Sequence, residues 1–131
     1  MDIKRMADEY RDRVKSSVRS LRWEILEEKS KPPHLHYKGH LSIARMRVRR
    51  CYHFLHRSFD SEKDIKELQK VWKCLVKINE RCEEDPKNLD PQSQLIFDKA
   101  VAYLDKLLEK LPRLIEKSLT RAVRESGIHL R

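Results

Sequence analysis

The sequence predicts an all-α protein, an antiparallel bundle of four to five helices. Three observations predict it. Apolar residues recur at steps of three and four over long stretches, the spacing that gathers them on one helix face. Charged residues make up 39% of the 131 positions and hydrophobic residues another 39%, the balance of long amphipathic helices and not of a disordered chain. Two glycines in the whole chain leave almost no turn chemistry for hairpins, which argues against an all-β fold. The length suits a single domain, residues 1–131, with one core.

The first helix is expected from about Asp2 to about Lys29, with Ile3, Met6, Tyr10, Val14, Ser17, Leu21 and Ile25 as its apolar stripe and Ala7 and Val18 widening it. Trp23 and Leu26 fall off that stripe, and Arg19 stands one turn before Trp23, within reach of a cation–π contact. The Ser30-Lys31-Pro32-Pro33 sequence ends the helix, because a residue before proline is pushed out of the α region. Pro32, Pro33 and Gly39 bracket a connector.

A second helix begins near His40 or Leu41 and ends near Phe59, with Leu41, Ala44, Val48, Cys51, Tyr52, Leu55 and Phe59 inward. Asp60 or Ser61 caps a third, in which Ile65, Leu68, Trp72, Leu75, Ile78 or Asn79, and Cys82 form a heptad-like seam widened by Val71 and Val76. Asp90-Pro91 then opens the last helix, aspartate as cap and proline at the first helical position. Its apolar march runs Phe97, Val101, Leu104, Leu108, Leu111, Ile115, Leu119, Ala122, with Ser126-Gly127 closing it. Pro112 sits inside that march, so this long helix is expected to be kinked or broken near Pro112.

Several functional classes are disfavoured. No apolar run is long enough to span a membrane, so no transmembrane segment is expected, and the first ten residues lack the apolar core of a secretory signal. Cys51, Cys74 and Cys82 are odd in number and without paired spacing, which points to a reducing, intracellular setting, nuclear or cytoplasmic. There is no Gly-rich phosphate loop, no His-Glu-x-x-His pair and no nucleophile elbow. The acids Glu83, Glu84 and Asp85 form a solvated run without the shelter that tunes a catalytic carboxyl. No catalytic residue, cofactor or metal site is assigned. The histidines His34, His36, His40, His53 and His56 do not converge with Cys51 as zinc ligands would, since the helix turns Cys51 toward the core.

The feature above background is Lys31 to Arg57. It holds seven of the 30 Lys/Arg and five of the six histidines, and no acid, in a chain of net charge +9. On a helical period Lys38, Arg45, Arg49, Arg50, His53 and Arg57 share one side, with His56 beside them. Arg45 to Arg57 covers about 18 Å at 1.5 Å per residue, enough to touch several phosphates. Each cation that replaces a condensed counter-ion gains the entropy of its release, and guanidinium forks match phosphate oxygens. The expected function is therefore non-enzymatic binding of nucleic acid, RNA ahead of DNA, by backbone contact. The alternative is an adaptor for a protein partner, or a homodimer, using Arg19, Trp23, Leu26, Ile43 and Phe54. An anionic membrane surface is a third reading.

Overall fold

The computed structural model describes residues 2–30, 38–59, 62–84 and 91–126, with the side chains of 38–43, 58, 62, 82–84, 91 and 126 left aside. It is all-helical over that range: α1 spans Ile3–Ser30, α2 Lys38–Phe59, α3 Lys66–Glu84 and α4 Pro91–Ser126, with a 3₁₀ turn at Glu62–Ile65 leading into α3.

Local chemistry accounts for the ends that are described. Asp2 caps α1: its side-chain Oδ1 accepts from the Arg5 N–H at 3.1 Å and its carbonyl from the Met6 N–H at 3.1 Å, satisfying donors that lack an intrahelical partner. The second helix starts at Lys38, two residues ahead of the expected start, so Gly39 lies in its first turn and not in the connector. Glycine's weak helix propensity matters least there, where the N–H groups have no intrahelical acceptor anyway. The expected caps Asp60 and Ser61 lie outside the described residues.

The helices alternate in direction. Side-chain pairs between α1 and α4 run in opposing order: Tyr10 with Ser118, Arg11 with Glu116, Arg22 with Asp105 and Lys29 with Asp98. Cys51 meets Ser17 and Arg47 meets Glu24, which sets α2 antiparallel to α1. Glu67 with Lys110 and Arg81 with Gln92 do the same for α3 and α4. Each helix packs on its neighbours in sequence and α4 returns to α1, closing a four-helix bundle.

One apolar cluster joins all four helices, from Val14, Val18, Leu21 and Ile25 through Val48, Leu55, Leu68, Leu75 and Ile78 to Phe97, Leu104, Leu107, Leu111 and Ile115. The faces differ from the sequence expectation by small rotations. In α1, Met6 is 51% exposed while Ala7 and Glu28 are buried. In α4 the buried stripe takes Ile96, Ala100, Leu107 and Leu114, leaving Val101, Leu108 and Leu119 at its margin and Ala122 in solvent. A helix with three neighbours buries a wider arc than one seam predicts, so its flanking positions are recruited too.

Pro112 does not divide the last helix. It lies exposed within an uninterrupted 36-residue α4. The missing N–H and the ring's clash with the preceding turn disfavour helix there. Burial of Leu107, Leu111, Leu114 and Ile115 on both sides of it offsets that locally, each fully buried side chain contributing about 1.5–3 kcal/mol.

Candidate nucleic-acid interface

Helix α2 faces the core with Ala44, Val48, Cys51, Leu55 and Phe59. The opposite side follows from the same period: Arg49, Arg50, His53 and Arg57 are exposed. Among the described residues neither Arg49 nor Arg50 enters an ion pair. Among the described residues Arg57 makes a long contact, its Nε donating to the His53 carbonyl at 3.5 Å. The side chains of Lys38 and Ile43 lie outside those described.

Arg45 departs from the expectation of an outward guanidinium. It is half-buried, and its Nε is buried without a hydrogen-bond partner. The cause is its register: Arg45, Tyr52 and His56 recur at helical spacing on one half-buried flank of α2, and Tyr52 on that flank borders α3. Arg47 sits on the other flank and is taken by Glu24 of α1 at 2.6 Å.

Two grooves flank the basic side of α2. Toward α3 a groove of about 500 Å³ is walled by Tyr52 and Trp72, backed by Val48 and Leu68, and edged by Arg49, His53, Gln69 and Lys73. Tyr52 is held in place there, stacked on His56 at 5.6 Å and edge-on to His53 at 5.8 Å. Toward α1 a groove of about 310 Å³ includes Arg13, Ser17, Glu24, Arg47, Arg50 and Phe54, and one of about 400 Å³ beside it includes Arg19 and Trp23. Trp23 is 61% exposed and shares its groove with Arg47 of α2. The cation–π contact formed among the described residues is not Arg19 with Trp23 but Lys70 over Tyr103, at 5.3 Å. Leu26 is half-buried, and Phe54 packs against the core while bordering its groove.

The larger electrostatic feature lies on α3 and α4. Lys63, Lys66, Lys70, Lys73 and Lys77 recur at three and four and are all exposed, one strip along the outside of α3. Glu67, within that strip's sequence, points the other way: it is buried and held by Lys110 at 2.9 and 3.1 Å. On α4 the residues Lys99, Tyr103, Lys106, Lys110, Arg113 and Lys117 recur at the same spacing on the α3 side. Three acids of α4 lie on its other edge, where Asp98, Asp105 and Glu116 are taken by Lys29, Arg22 and Arg11 of α1.

Charge is thus sorted by helix packing. The α1–α4 seam takes Asp98, Asp105 and Glu116 of α4, and Arg11 holds the Glu116 carboxyl below its ordinary range by hydrogen bonding. The α2–α3–α4 surface keeps its cations, and among the described residues Lys66, Lys73, Lys77, Lys99, Lys106, Arg113 and Lys117 form no ion pair. The lysine strip was legible in the spacing. Segment-wise charge counting hid it, because it credits buried and helix-end acids with neutralising cations they do not face.

No activated nucleophile accompanies this surface among the described residues. Burial pushes the Cys51 thiol up to about 11, against a smaller opposing effect of the Ser17 hydroxyl. Burial also raises Cys74, with Lys99 and Lys77 pulling the other way. Reactive cysteines shift downward. Among the described residues no three His, Cys, Asp or Glu side chains cluster as metal ligands, and no helix is long and apolar enough to cross a membrane.

Fold and surface together define a four-helix bundle with one cationic flank. In comparisons with known proteins, no family model, curated protein or solved structure matches the chain.

Proposed function

We propose that this bundle binds nucleic acid, RNA ahead of DNA, through phosphate contacts and without catalysing its turnover. The observation that carries it is the exposed cationic surface, in which among the described residues no ion pair engages Arg49, Arg50 or Arg57 of α2: Arg49 stands beside the lysine strip of α3 and Arg50 toward α1, while Asp98, Asp105 and Glu116 of α4 are engaged by α1. Phosphate holds a chain in place without reading its bases, and a long helix flank offers contacts along a backbone without entering a groove. A nuclear or cytoplasmic location goes with this reading.

The test is direct. Short single-stranded RNA, duplex RNA and duplex DNA are titrated with the protein at about 50 and 200 mM salt. Binding should weaken steeply with salt, and Arg49→Glu with Arg57→Glu should remove most of it while leaving the helical circular dichroism unchanged. Undetectable binding to all three at the lower salt would refute the proposal.

A second reading, an adaptor for a protein partner or a homodimer, has one observation in its favour. Trp23 and Met46 are 61% and 53% exposed, and large apolar side chains in solvent mark contact surfaces when they adjoin. Such binding would be nearly indifferent to salt and would be lost in Trp23→Ala.

A further inference from the structure

Resting on the nucleic-acid reading, we infer that the groove between α2 and α3 seats an unpaired base, so that the protein's preferred ligand is a single strand and not a duplex. Three features of the groove point to this. Its walls are the flat side chains of Tyr52 and Trp72, and every base has a π-face that stacks on such rings. Tyr52 is pre-oriented by its stack on His56, so little side-chain freedom is lost when a base arrives. Gln69 stands at the rim with an amide that both donates and accepts, the pairing chemistry of a base edge.

The fourth feature is charge. Arg49 and Lys73 stand on the two helices that form the groove and enter no ion pair among the described residues. They are positioned for the phosphates on either side of a seated nucleotide, and the α3 strip continues from Lys73 through Lys66 and Lys77. At about 500 Å³ the groove falls within the range of small-ligand sites, about 300–1,000 Å³. A base inside a duplex is already stacked and cannot reach between two helices without being flipped out. A peptide of acidic residues alone could meet the cations but brings no ring for the walls.

The two tryptophans make the site testable, because one stands in this groove and the other on the α1 side. In Trp23→Phe the remaining indole, Trp72, reports the groove. Oligouridylate of ten residues should quench its fluorescence with the midpoint seen by anisotropy of the labelled oligonucleotide. A duplex of equal length should bind without that quenching, and so should a decamer of glutamate if it binds at all. Trp72→Leu should weaken oligouridylate about tenfold, the loss of one stacked base, and change duplex binding less than about twofold. Binding by anisotropy with no change at Trp72, quenching at Trp23 in Trp72→Phe instead, or equal quenching by the glutamate peptide would each overturn the base seat while leaving polyanion binding intact. Absence of binding to any nucleic acid would sink the underlying reading itself.

Discussion

Lys110 Nζ lies 2.9 and 3.1 Å from the two carboxylate oxygens of Glu67, and that carboxylate is buried. The pair fastens α3 to α4 and removes from the surface the acid that falls between Lys66 and Lys70 of the α3 strip. Lys110→Ala would strand the carboxylate. It is expected to lower stability by about 2 kcal/mol, under the full figure for a buried pair because Lys110 is itself partly solvated. Glu67→Leu combined with Lys110→Met should come out near neutral, since an apolar pair needs no desolvation. Urea unfolding of the two variants decides it: equal losses in both would mean that packing volume, not stranded charge, is at stake.

The α3 strip should contribute its own share of polyanion affinity. Lys66→Glu, Lys73→Glu and Lys77→Glu together are expected to reduce the slope of log affinity against log salt by about one for each phosphate that the strip no longer neutralises. Lys4→Glu, on exposed α1, should leave the slope where it was. A strip variant that behaves like this control would confine binding to α2.

Cys51 gives a pH signature. Its thiol is pushed up from the ordinary 9.0 to about 11 in the folded chain by burial, and the unfolded thiol keeps the ordinary value. Between those values the unfolded state holds fewer protons, so stability falls as pH rises through that window. Below it the thiol is neutral in both states and adds no pH dependence. Cys51→Ala should flatten that part of the decline. In the unaltered protein a thiol reagent at pH 8 should label half-buried Cys74 before buried Cys51, with Cys51 reacting only as fast as the bundle opens. Early labelling of Cys51 in the folded protein would contradict its burial.

Pro112 tests how α4 holds together. Because it is exposed inside a continuous helix, Pro112→Ala restores an N–H and removes a steric conflict without altering the core. The melting temperature should rise, with a gain of about 1–3 kcal/mol. A fall would show that the proline sets a bend on which the packing of Leu107 and Leu114 depends.

Much of the fold was legible without coordinates. The helices could be placed because a 3.6-residue period with apolar residues at three and four is a local property. Periodicity misplaces Met6, which shares the apolar spacing of α1 yet stands in water, and Leu107, which sits outside the expected stripe yet is fully buried. It gives the direction of a face but not how wide an arc three neighbours will cover. The site was legible in part. Arg49, Arg50, His53 and Arg57 are exposed as their spacing implied, whereas Arg45 lies half-covered at the α3 flank.

By itself the sequence determined a set of amphipathic helices, a basic α2 and the excess of positive charge, because these depend on residue type and spacing along one chain. Only the tertiary structure decided which charges cancel. Ion pairing falls off steeply with separation in water, so it depends on partners that packing brings within a few ångströms and not on totals along the chain. By setting the acidic edge of α4 against α1 and turning Glu67 inward toward Lys110, the bundle leaves the lysines of α3 and Arg49, Arg50 and Arg57 of α2 facing solvent.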